Sequence, residues 1–302
     1  MLNILTRAGC YVAIIVLGMV LRKVGFFKEE DFPVLSKIVI KVTLPAVLIS
    51  SAAGQEIAPG MLTIAALGLG GGVLYVMLAW LMNRRADKEQ QAFEILNLPG
   101  YNIGTFALPF TQSFLGSVGV LTTSLFDMGN AFVCLGGAYG IASSVKAGGG
   151  FDFKRILKAL SKSVPFLVYI LVMFLNLAKI RIPEPILSCA EIIGSGNAFL
   201  AMLMIGVGFK LEGDRSQLGR VLRILAVRYS VAVVLALCYY FLLPFDQEVR
   251  QTLVILAFAP IGSAVPGFTA ELKGDVGLSC TINSAAILCS IVIIVALLLV
   301  ML

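Results

Sequence analysis

Asp127 lies in the middle of the apolar stretch LTTSLFDMGNAFVCLG, and Thr123, Asp127, Asn130 and Cys134 follow one another at i, i+4, i+7 and i+11. That spacing puts all four on one stripe of a helix. A carboxylate in an apolar span is costly and usually faces a bundle interior. Two chemistries fit it: reversible binding of H+ or Na+, or a helix-packing hydrogen bond from a neutral acid. A second set is built from amides and hydroxyls beside Pro and Gly. EILNLPGYNIGTFALPF holds Asn102, Gly104, Thr105 and Pro109, and LAFAPIGSAVPGFTAEL holds Ser263 and Pro266. Asn197 follows a Gly194–Gly196 flexible point, and Asn283 and Ser290 share a face of the last apolar run. Amides in such places hold a small ligand, cap a broken helix or pack helices together. The candidate substrate-binding residues are Asn102, Gly104, Thr105, Pro109, Asn130, Asn197, Ser263, Pro266 and Asn283, with Asp127 as the ion-coupling residue.

Apolar spans must position these residues. The chain is 59% hydrophobic and 13% charged, against about a quarter charged in soluble domains; its mean hydropathy is +0.98. Lipid has to replace water around most of it. Runs of about 20 apolar residues predict ten spans near 2–22, 33–52, 61–82, 92–113, 117–144, 157–178, 186–209, 219–243, 250–270 and 276–301. The first run lacks a small-x-small cleavage site and is followed by Arg22 and Lys23, so it reads as a retained helix. The six cysteines fall inside apolar runs without metal-ligand spacing, and histidine is absent. No metal site, no structural disulfide and no His-dependent catalysis is expected. With no Gly-x-Gly-Asp motif and no paired mid-span aspartates either, the reading is not an enzyme.

The net charge of +6 carries no basic stripe interleaved with aromatics, so no nucleic-acid partner is expected. Instead 16 Lys and Arg fall in the loops after odd-numbered spans and 4 on the other side. This positive-inside bias predicts a multi-pass protein of the plasma (inner) membrane with both termini outside the cytoplasm. Lys41 and Arg228, nominally inside spans, read as long side chains that snorkel to the cytoplasmic interface.

The glycine run Gly148-Gly149-Gly150 divides the chain into residues 1–147 and 148–302, five spans each. An odd number per half forces opposite orientations, which is an inverted repeat. Pro99, Gly100, Gly104 and Pro109 interrupt the fourth span, and Pro260, Gly262, Pro266 and Gly267 the ninth. Matched interruptions predict two discontinuous helices lining a cavity. The expected fold is an all-α membrane protein of two inverted five-helix repeats, with broken helices 4 and 9 crossing.

At these residues the chain resembles the auxin efflux carrier family of the bile/arsenite/riboflavin transporter superfamily, in its bacterial type. The resemblance rests on NIGTFALPF, TLPAVL, GNAFLAMLMIGVGFKL and SAVPGFTAELKGD. Pro266 stands where such members carry Asn, and Phe199 where they carry Pro. The resemblance implies the same ten-helix crossover fold and a small organic anion as cargo, a dicarboxylate or an auxin-like carboxylate.

The function expected is secondary active transport by alternating access. Spans 3–5 and 8–10 form a core that moves against a scaffold of spans 1, 2, 6 and 7. Half-helix ends would present partial positive charge to the carboxylate, Asn102, Thr105 and Ser263 would donate hydrogen bonds, and Asp127 would couple H+ or Na+. No cofactor is expected. The partners expected are the lipid bilayer and the anion, and a homodimer is compatible with the sequence. A channel or a ligand-binding membrane sensor on the same scaffold is the alternative.

Overall fold

The computed structural model describes residues 2–51, 59–147, 153–210 and 215–302. The glycine run at 148–150, where the two halves were expected to join, lies outside the described residues.

Among the described residues the chain is all helical. The elements are α1 Leu2–Lys23, α2 Phe32–Ile38, α3 Leu44–Ser51, α4 Thr63–Met82, α5 Lys88–Asn97, α6 Leu108–Phe132, α7 Ala138–Ala147, α8 Phe153–Lys162, α9 Val164–Leu177, α10 Glu184–Ser195, α11 Asn197–Gly208, α12 Leu218–Leu242, α13 Gln247–Ala257, α14 Val265–Glu271 and α15 Val276–Met301. Single π-helical turns at Val39–Thr43, Ile103–Ala107 and Val133–Gly137 join α2 to α3, lead into α6 and join α6 to α7.

Seven of the helical stretches are long and apolar enough to cross a membrane, or eight if the pair Ile156–Lys162 and Val164–Leu177, bent by 76°, counts as one. Length alone gives fewer than the ten expected for a physical reason. The stretch Ile103–Lys146 is 44 residues long and counts once, although Gly116 turns its chain with φ 55° and ψ −148°. The helices α13 and α14, of 11 and 7 residues, are each too short for a crossing. The outer faces carry exposed Val16, Trp80, Ile192, Phe241 and Val292. Such a surface is stable against lipid tails and not against water. The protein is an integral, multi-pass membrane protein.

Lipid offers helices no hydrophobic reason to associate, so close packing of small residues has to supply it. A methyl group on Gly68 would collide with the Phe126 carbonyl oxygen, and one on Gly129 with that of Ala65. These two glycines bring the α4 and α6 backbones into contact. Gly18 and Gly206 do the same for α1 and α11, and Gly194 seats α10 on Val47 of α3.

The breaks follow from local chemistry. Pro99 has no N–H to continue α5 and disfavours helix at Leu98, and Gly100 takes φ 80°, which other residues rarely adopt. The chain restarts only at Ile103. In the same way Pro260 follows the end of α13, and the helix resumes at Val265. Backbone groups exposed by such breaks need partners in a membrane. The side chain of Asn130 supplies them on one side, accepting from the Tyr101 N–H at 3.1 Å and donating to the Tyr101 carbonyl at 2.9 Å. Asn283 serves the other side, donating to the carbonyls of Ile261 at 3.2 Å and Gly262 at 3.1 Å.

Candidate functional site

The two breaks meet at the centre of the molecule. The Asn102 N–H donates to the Pro260 carbonyl at 2.8 Å, so each interruption satisfies part of the other. Behind this contact stands Arg228 of α12, only 1% exposed. Its guanidinium donates to the carbonyls of Leu98 at 2.7 Å, Gly100 at 2.8 Å and Ala259 at 2.7 Å. Its carbon lies 5.1 and 5.3 Å from the ring centroids of Tyr75 and Tyr101. Leu98 directly follows the C-terminal end of α5 and Ala259 lies two residues past that of α13, where unsatisfied carbonyls gather partial negative charge. A planar cation with five donors matches that cluster. Snorkelling of Arg228 is therefore corrected. Its Cα is ten residues, about 15 Å, into α12, and its side chain turns inward because the crossover carbonyls leave no cheaper partner. Lys41, by contrast, is exposed.

Two cavities flank the crossover. The smaller, of about 160 Å³, is lined by Asn102, Gly104, Thr105, Asp127, Asn130, Cys134, Ser163 and Tyr169 among others. The Asp127 carboxylate accepts from Asn130 Nδ2 at 2.8 Å and from the Tyr169 hydroxyl at 2.7 Å. Among the described residues no Lys or Arg lines this cavity. A Cβ at Gly104 would meet the end of the Leu44 side chain at 2.8 Å, which would have to shift.

The larger cavity, of about 450 Å³, is lined by Arg22, Asn102, Lys210, Ser263, Pro266, Asn283 and Ser284 among others. Arg22 donates to the carbonyls of Val207 at 3.1 Å and Phe209 at 3.0 Å, holding the C-terminal end of α11. The backbone N–H of Lys210 donates to Ser284 Oγ at 3.1 Å. Among the described residues, Asp127 lines the smaller cavity, and Arg22 and Lys210 line the larger.

Asn102, Ser263 and Ala264 line both cavities. Asn102 is 5% exposed. Its Oδ1 accepts from the Thr105 hydroxyl, while its buried Nδ2 has no hydrogen-bond partner. An orphan amide donor costs about 1–3 kcal/mol, and this one sits at the wall shared by two cavities.

The residues expected at the site separate into groups. Asn102, Gly104, Thr105, Asp127, Asn130, Ser263, Pro266 and Asn283 line one cavity or both. Within that group the Nδ2 atoms of Asn130 and Asn283 are spent on the chain breaks. Pro109 and Asn197 line neither cavity. The Pro109 carbonyl accepts from Tyr11 of α1 at 3.1 Å, and Asn197 accepts from Thr43 at 2.8 Å in the packing of α11 against the π turn after α2. Sequence reasoning passed over Arg22, Lys210, Ser163 and Tyr169. Tyr169 carried a signal, being the one polar aromatic in the run VPFLVYILVMFLNL.

Comparison with known proteins points to membrane transport. Residues 11–149, a little under half of the chain, match the family described as "Membrane transport protein". A curated protein of Methanothermobacter thermautotrophicus, named "Uncharacterized transporter", is 24% identical over 204 residues. That alignment covers 66% of this chain and 65% of the relative, just under two thirds of its length.

Proposed function

We propose that this chain is a member of the auxin efflux carrier family and a secondary active transporter of a small organic anion. The observation that carries the reading is the unpartnered Asn102 amide, buried where the two breaks cross in a residue that lines both cavities. A carboxylate in the larger cavity would receive this donor and the Ser263 hydroxyl, with Arg22 and Lys210 supplying attraction at the mouth. Charge-assisted bonds of this kind are the strong ones.

The finer architecture belongs to the same reading. The pieces of the broken helices pair into the fourth and ninth of ten crossings, arranged as two inverted five-span repeats. The mouth with Arg22 and Lys210 faces the cytoplasm, by the charge bias, and both ends of the chain lie outside it in the plasma membrane. Spans 3–5 and 8–10 rock against spans 1, 2, 6 and 7, carrying the crossover between the two sides. Asp127 takes up the coupling ion, for which H+ is the better fit. Both carboxylate oxygens already accept from protein donors, and the Tyr169 hydroxyl can turn from donor to acceptor when Asp127 is protonated. Na+ would need several free oxygens at once.

Uptake by the purified protein in liposomes tests this. A panel of labelled mono- and dicarboxylates, with a pH step imposed, compares the parent with Asn102→Ala and Asp127→Asn. Loss of a hydrogen bond to a charged ligand is worth about 1.5–3 kcal/mol, so Asn102→Ala is expected to slow uptake by about tenfold or more. Asp127→Asn is expected to abolish the response to the pH step. Uptake unchanged in both variants across the panel would sink the site. Counterflow of labelled against unlabelled anion separates this carrier from a channel, which shows none.

A further inference from the structure

The helix α8, FKRILKALSK, is unlike the rest of the protein. It carries four cations and no acid in ten residues. Stepping 100° per residue places Phe153, Ile156, Leu157, Ala159 and Leu160 on one arc and Lys154, Lys158, Ser161 and Lys162 on the other. The apolar arc is only half used by the protein. Ile156 and Leu160 are buried, in a cluster with Ala131 and Phe166 and against Phe132 and Leu135. Phe153 and Leu157, on the same arc, are 53% and 48% exposed. Lys154, Lys158 and Lys162 are exposed as well. The helix then bends by 76° into α9, which is apolar but for Tyr169 and Asn176.

With α9 taken as the crossing part of this bent pair, α8 at 76° to it lies close to the plane of the membrane surface. There its outer apolar residues meet acyl chains while its lysines stand at headgroup level, as in interfacial amphipathic helices. We infer that α8 is a binding surface for anionic phospholipid, with Phe153 and Leu157 inserted at the acyl boundary and Lys154, Lys158 and Lys162 on the headgroup phosphates. Charge complementarity selects this occupant. Each Lys or Arg near an anionic leaflet contributes about 1 kcal/mol, whereas a zwitterionic surface offers no such term. The same helix touches the small cavity from behind. A Cβ on Gly136, in the π turn that holds Cys134 and Leu135, would meet the Ile156 side chain at 3.4 Å. Beyond the bend, Ser163, Pro165, Phe166 and Tyr169 form the cavity wall that faces Asp127. Lipid on α8 therefore steadies that wall, whatever the cargo is.

The test uses the full chain purified in neutral detergent. Its thermal unfolding is followed while phosphatidylglycerol, phosphatidylcholine or free glycerol phosphate is added. The parent is compared with the triple variant Lys154→Gln, Lys158→Gln, Lys162→Gln and with Arg84→Gln, Arg85→Gln, which removes two other cations from a different loop. Phosphatidylglycerol is expected to raise the parent's Tm by several degrees more than phosphatidylcholine, an increment that fades at high salt and persists in the Arg84/Arg85 variant. The increment is expected to vanish in the triple variant, whose exposed substitutions leave its Tm in phosphatidylcholine unchanged. An increment kept by the triple variant, or one reproduced by free glycerol phosphate, overturns the assignment. This readout needs no transport substrate, so its outcome is independent of the proposed cargo.

Discussion

Arg228→Met is expected to destabilise the protein by at least about 3 kcal/mol. The guanidinium is the shared partner of the Leu98, Gly100 and Ala259 carbonyls. Removing it leaves three acceptors in a region without water, at about 1–3 kcal/mol for each. Methionine fills a similar volume, so the loss reports the hydrogen bonds rather than a cavity. The Arg228→Lys variant keeps the charge, but an ammonium cannot span both chain breaks as a planar fork does, so an intermediate loss is expected. Thermal unfolding of the detergent-purified variants measures both, and Arg228→Met should lower Tm by about 5 °C or more. A methionine variant as stable as the parent would mean that the crossover holds without its cation.

Gly129→Val is expected to prevent folding of the α4–α6 pair. Its added carbons have to occupy the position of the Ala65 carbonyl oxygen, and the Leu69 nitrogen lies 2.9 Å from the new Cβ. Overpacked side chains can move aside at about 1–3 kcal/mol, but here the obstacle is backbone on a neighbouring helix. The pair would have to separate, taking the Asp127 stripe with it. Gly70→Ala is the control, because a Cβ at Gly70 meets nothing within 4 Å. Size-exclusion profiles of the two proteins after extraction should show Gly70→Ala as a single species and Gly129→Val as aggregate.

The sequence was most informative where backbone chemistry is local. Pro99-Gly100 and Pro260 mark the helix breaks because a missing N–H and a left-handed turn act wherever they occur. It was least informative about direction. Periodicity gives the depth of Arg228 but not the carbonyls it faces, since those come from residues 31 and about 130 positions away. Asn197 and Asn102 look alike in sequence, as amides beside small residues in apolar runs. One packs against Thr43 and the other faces two cavities, a distinction made only by tertiary neighbours. The basic stretch before Ser163 falls where the sixth span was expected to begin, and its ten-residue amphipathic helix follows from the 3.6-residue period.

Locking Arg228 to the carbonyls of both breaks has an electrical consequence. Whatever moves the crossover moves this charge through the membrane field. In the proposed cycle the moving spans also carry Asp127, while Glu94 and Arg223 form an ion pair. With Asp127 ionised and the site empty, the deep charges of the core sum to zero. With Asp127 protonated and a monoanion bound, they again sum to zero. Both reorientation steps are then blind to membrane voltage, so clamping the potential with valinomycin and K+ should leave monocarboxylate uptake unchanged. A dicarboxylate would load the core with one net negative charge, and its uptake should respond to a term of about 2.3 kcal/mol per 100 mV.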